Sequence, residues 1–81
     1  MKLVEYSSLA KKSLSRMQPK REAAIRAKVD AFARGERVDL KKLVGSSLVR
    51  IRIGGDRVII DERTNLVLVI DAGPRGGIYK E

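Results

Sequence analysis

The stretch LVRIRIGGDRVII, residues 48–60, constrains the fold more than any other part of the chain. Aliphatic residues and arginines alternate before Gly54, Gly55 and Asp56, and β-branched residues resume after them. A two-residue period belongs to strands, because successive side chains of a strand point to opposite faces. Val49, Ile51 and Ile53 therefore take one face, and Leu48, Arg50 and Arg52 the other. The glycine-rich break is a turn signal, which predicts a hairpin of strands 48–53 and 57–62. Closure at that turn brings Val58 and Ile60 onto the apolar face and sets Arg57 beside Arg50 and Arg52. Three guanidiniums then share one surface.

The residues before the hairpin read as one short strand and two helices. KLVEY, residues 2–6, alternates weakly and predicts an opening strand. Ser7 or Ser8 caps a helix to about residue 16, with Ala10, Leu14 and Met17 as its apolar stripe. Pro19 opens a second helix over 19–34, striped by Ile25, Val29 and Phe32 and stopped by Gly35. The stripes of this helical hairpin need a sheet to cover them. Residues 37–47 read as a linking segment with a short turn anchored by Leu40 and Leu43. After the hairpin, the unbroken apolar run Leu66–Ile70 predicts a central strand buried on both sides. The expected architecture is α+β, a helical hairpin on one face of a small, mostly antiparallel, twisted sheet. The order is β-α-α-β-β-β, in a single domain spanning 1–81.

Composition narrows the chemistry. A chain of 81 residues buries only about 60 % of its unfolded surface, so the core is thin. It contains no cysteine and no histidine, which removes disulfides, thiolate nucleophiles, the usual metal ligands and imidazole acid–base chemistry together. No signal peptide is evident in MKLVEYSSLAKK, and no apolar run approaches membrane-spanning length, so a cytoplasmic location is expected. Lys and Arg number 18 against 10 Asp and Glu, a net charge of +8 that suits a polyanionic or acidic partner. Lys11, Lys12, Arg16, Lys20, Arg21, Arg26 and Lys28 read as charge scattered over helix exteriors. The hairpin arginines sit instead on a sheet face, and Arg75 and Tyr79 follow the last strand. Arginine binds phosphate oxygens in bidentate fashion and keeps its proton at any physiological pH, so it stabilises anionic charge but shuttles protons poorly. Tyr79 is the residue of the group able to assist proton transfer. With Tyr6, Phe32 and Tyr79 as its three aromatics, the chain lacks a base-stacking platform. It also has no phosphate-binding GxxxxGK[ST] loop.

Taken in order, LKKLVGSSLVRIRIGGDRVIIDE…LVLVIDAGPRGGIYKE resembles the bacterial RelE/ParE toxin superfamily, and its RelE-like branch in particular. Members typically carry a KKLxG segment, a hairpin of the YRIRxGDYRVIY type, an apolar strand and a closing GxRxxxY. The resemblance covers residues 40–80, and the helical pair before them fits in length and pattern. It implies a cytosolic toxin of a type II toxin–antitoxin system that cleaves mRNA in the ribosomal A site. Cleavage would proceed without metal or cofactor, by attack of a 2′-hydroxyl on the adjacent phosphate. Carried over by position, Arg57 and Arg75 would bind the scissile phosphate and stabilise its charge, and Tyr79 would assist proton transfer. Arg50 and Arg52 would supply positive potential for RNA. The implied partners are a cognate antitoxin, in a hetero-oligomer, and the ribosome with its mRNA. Where the family often has YR and GDYR, this chain has VR and GGDR, so hairpin aromatics are absent and Asp56 sets a negative charge beside Arg57. Two other functions fit the same resemblance: a ParE-like inhibitor of DNA gyrase without nuclease activity, and an inactive relative that only binds an antitoxin.

Overall fold

Ser7 makes the first change of direction in the chain. Its hydroxyl accepts a hydrogen bond from Ala10 N at 3.0 Å, capping the helix that follows, and donates to Ile70 O at 2.6 Å. In the computed structural model, which describes residues 1–74, this serine joins strand β1 (Leu3–Tyr6) to helix α1 (Ser8–Ser15). Helix α2 (Pro19–Ala33) begins with proline in its first turn, where a missing N–H costs no helical bond. It ends at Gly35, whose φ of +85° is left-handed. Gly35 N donates to Phe32 O and Glu36 N to Ala31 O, both at 3.0 Å, the paired bonds of a Schellman termination. Among the described residues, no helix is long and apolar enough to cross a membrane.

Four strands follow: β2 (Leu40–Lys42), β3 (Leu48–Ile53), β4 (Asp56–Glu62) and β5 (Leu66–Pro74). They join β1 in one five-stranded sheet of order β1-β5-β4-β3-β2. β1 runs parallel to β5, and every other pairing is antiparallel. The α+β class and the mostly antiparallel sheet agree with the sequence reading, and β3 has the expected limits. Three features differ. Asp56, read as part of the turn, is the first residue of β4 and pairs with Ile53. Residues 40–42, read as linker, form an additional edge strand paired with β3, so the order is β-α-α-β-β-β-β. Leu43 anchors that segment at 5 % exposure, whereas Leu40 stays 39 % exposed. The central strand is β4, buried continuously from Asp56 to Ile60, and β5 lies one place nearer the parallel edge.

The helices cover one face. Ala10, Leu14, Ile25, Val29 and Ala33 pack against Val49, Ile51, Val58, Ile60, Val67, Val69 and Ala72. Strict alternation would not place Val67, Val69 and Ala72 on one side of β5. A bulge resolves this, because Ile59 faces Asp71 across the ladder while Ile60 faces Val69, leaving Ile70 as the extra residue. The Ser7 hydroxyl takes up the carbonyl of that extra residue, and Ser13 Oγ donates to Asp71 Oδ1 at 2.6 Å just beyond it. α1 is thereby fastened to the strand on which it packs.

Candidate anion site on the sheet

The β3–β4 turn is the shortest a hairpin allows. Ile53 and Asp56 face each other, with Gly54 and Gly55 between them. Gly54 has φ +59°, and Gly55 has no positive φ, the pattern of a type II′ turn. Its twist suits the flanking strands and fixes the register below it. In that register Arg52 stands directly opposite Arg57 and Arg50 opposite Ile59, so the three arginines share the face turned away from the helices. Lys41 of β2 is opposite Arg50 and extends the cationic row.

Depth divides the row. Arg50 and Arg57 are buried, at 5 % and 8 % exposure, while Arg52 and Lys41 are exposed. The surface expected from alternation is thus a stepped one, two arginines sunk into it and two cations standing at its rim. Beside the turn lies a concavity of about 190 Å³ lined by Arg52, Gly54, Gly55, Asp56 and Arg57. Its size and its two facing guanidiniums suit a single phosphate or another small oxyanion.

Three carboxylates of β4, among the described residues, are paired with Arg21, Arg63 and Lys2. Asp56 lies on the opposite face from Arg57 and pairs with Arg21 of α2 through both oxygens, one bond being Nε to Oδ2 at 3.0 Å. That contact corrects the expectation that Asp56 would act on Arg57, since alternation turns its side chain toward the helices. Asp61 takes Arg63 Nη2 at 3.0 Å, and Glu62 takes Lys2 Nζ at 2.7 Å. The hydrogen bond and charge of Asp56 hold the Arg21 guanidinium above its ordinary pKa. Among the described residues, no group of three or more acidic side chains is placed to hold a metal ion. Arg75 and Tyr79 lie outside the described residues.

Two basic residues near this site were not singled out by the sequence. Lys41 was hidden in a segment read as linker, and a three-residue strand is too short to show a period. Arg21 read as scattered helix charge, and no local pattern links it to a residue 35 positions away.

Facing arginines repel, so truncating the exposed one should not harm the fold. Arg52→Ala is expected to change unfolding free energy by no more than about 0.5 kcal/mol, read by urea denaturation. A large loss would show that Arg52 supports the core and would overturn the assignment of faces.

No family model and no curated protein matches the sequence. Solved structures do match the fold. A chain of the intact E. coli RelBE toxin–antitoxin complex superposes with a TM-score of 0.78 at 17 % identity, covering 91 % of this chain and 96 % of that one. A chain of the archaeal RelE–RelB complex from Pyrococcus horikoshii OT3 gives 0.76 at 22 % identity, with coverages of 94 % and 97 %. This chain has the RelE toxin fold. YafQ from E. coli strain BL21(DE3) shares it, with a TM-score of 0.79 at 11 % identity over 99 % of this chain and 100 % of that one. In each case the likeness covers more than nine-tenths of this chain.

Proposed function

We propose that this protein is the toxin of a type II toxin–antitoxin system, a ribosome-dependent mRNA endoribonuclease neutralised by a cognate antitoxin. The observation that carries the reading is the arginine face on a RelE fold: Arg52 and Arg57 facing each other beside a phosphate-sized hollow, with Arg50 next along the sheet.

The proposed reaction needs charge stabilisation more than a strong base. The 2′-oxygen of one ribose forms a bond to the adjacent phosphorus, and the bond from phosphorus to the 5′-oxygen of the next nucleotide breaks. The products are a 2′,3′-cyclic phosphate and a 5′-hydroxyl. Charge builds on the non-bridging oxygens as the phosphorane forms, and fixed guanidiniums favour that state over the ground state. Arg57 and Arg75 are assigned to the scissile phosphate, and Arg50 and Arg52 to potential along the strand. Tyr79 is assigned to proton transfer, since its hydroxyl can give up and return a proton where arginine holds its own too firmly. A net charge of +8 suits both an RNA substrate and an acidic antitoxin.

The deciding experiment maps mRNA 5′ ends in a translating extract after brief synthesis of wild type or Arg75→Ala. Cuts phased with codons should appear for wild type and disappear for the variant. Intact mRNA with wild type would overturn the nuclease reading, and inhibition of gyrase supercoiling would then be assayed.

A further inference from the structure

The hairpin turn is a thin wall between two hollows. On the cationic side is the concavity that contains Arg52 and Arg57; on the helix side is a cleft of about 500 Å³ whose lining includes Lys20, Arg21, Ala24, Ile53 and Pro74. The wall itself is Gly54 and Gly55, and a side chain added at either would meet nothing within 4 Å. Side-chain packing at these two glycines therefore adds nothing to the ladder that holds the turn from below. What bridges the helix-side cleft is the ion pair between Arg21, in the first turn of α2, and Asp56, the residue immediately before Arg57.

We propose that Arg21 is a positioning residue: by gripping Asp56 through both carboxylate oxygens, it holds the turn where Arg52 and Arg57 converge on one anion. The proposal rests on the reading of the arginine face as a phosphate site. Asp56 is only 6 % exposed, so losing its ion-pair partner would leave a buried group without a counter-charge. Arg21 meets it with the planar fork that matches a carboxylate in two places, which fixes direction as well as distance. Without that grip the buried carboxylate has to reach water, and the route runs through the cleft. The turn then shifts toward α2, and the Arg57 side chain beside it is re-aimed relative to Arg52 although its backbone stays in the ladder. Helix α2 is thus tied to the anion site by one side chain, although none of its residues lies on the cationic face.

The test compares wild type, Arg21→Gln, Asp56→Asn and the double variant Arg21→Leu with Asp56→Leu. Two readouts are taken: the side-chain Nε–Hε resonances of the arginines, and affinity for a short RNA methylated at every 2′-oxygen so that it cannot be cut. Arg21→Gln should shift the Arg52 and Arg57 resonances, leave core amides such as those of Val67 and Val69 in place, and weaken RNA binding about tenfold. The double variant replaces a buried ion pair by apolar contact, an exchange that is often tolerated, and should restore both readouts. If Arg21→Gln does not fold, Asp56→Asn is read in its place, since it removes the ion pair without stranding a charge.

Unmoved Arg52 and Arg57 resonances in the single variant would overturn the proposal. So would a double variant that binds as weakly as Arg21→Gln, because Arg21 would then be touching RNA itself. Failure of wild type to bind the RNA would instead defeat the phosphate-site reading, and the resonances would still decide whether Arg21 sets the position of Arg57.

Discussion

Arg57→Ala is expected to lower the rate of RNA cleavage at saturating substrate by about 10²–10³-fold, the usual effect of removing one preorganised donor from a charge-developing transition state. Arg57 is the arginine on which three features meet. It is held on the central strand, it faces Arg52 across the ladder, and it lines the phosphate-sized hollow. Its burial at 8 % exposure matters as well, because a guanidinium partly withdrawn from water interacts more strongly with an anion brought beside it. Arg57→Lys separates charge from geometry. Lysine keeps the cation but loses the bidentate fork, so it should recover RNA affinity better than it recovers rate. Single-turnover cleavage with enzyme in excess gives the rate, and titration with uncleavable RNA gives the affinity. An Arg57→Ala variant that is folded and cuts at the wild-type rate would remove Arg57 from the reaction and leave it as a surface cation only.

The same hairpin shows which parts of the structure were legible in the sequence. β3 was read to the residue because its period of two, its β-branched residues and the glycines after it agree. The helices were read from their stripes, and Pro19 and Gly35 marked their limits. The facing of Arg50, Arg52 and Arg57 follows from the same alternation, although the sequence assigns Asp56 to the turn and the structure makes it the first residue of β4. Depth was not legible. Alternation gives a side, but burial depends on which strands lie beyond, and β4 is central only because β1 and β2, from earlier in the chain, add outside β5 and β3. The apolar run of β5 looked the more buried of the two, whereas β4 begins with a buried aspartate and a buried arginine that no hydropathy pattern would place inside. Asp56 shows the same limit: its partner is fixed by how α2 crosses the sheet, and that crossing is a tertiary fact.

The largest expected effect on stability is that of Ile51→Ala, at a position one residue from Arg52 but on the other face. Ile51 is fully buried, stands opposite Val58, and belongs to the cluster shared by both helices and the sheet. Removing its branched side chain loses transfer free energy and leaves a cavity, together about 2–5 kcal/mol. A domain of this size holds only about 4–12 kcal/mol in total, so one deletion takes a large share of it. Each kilocalorie lowers Tm by about 4–8 °C in domains of 60–100 residues, which places the expected drop at roughly 8–40 °C in a thermal melt. The comparison with Arg52→Ala gives the measurement its force. Adjacent residues of one strand should differ severalfold in cost if the helices cover only the Val49–Ile51 face, and equal costs would mean that the arginine face is also part of the core. Should Ile51→Ala melt near wild type, the helix layer would not be packed on β3 as described, and the route from the helices to the anion site through Asp56 would fall with it.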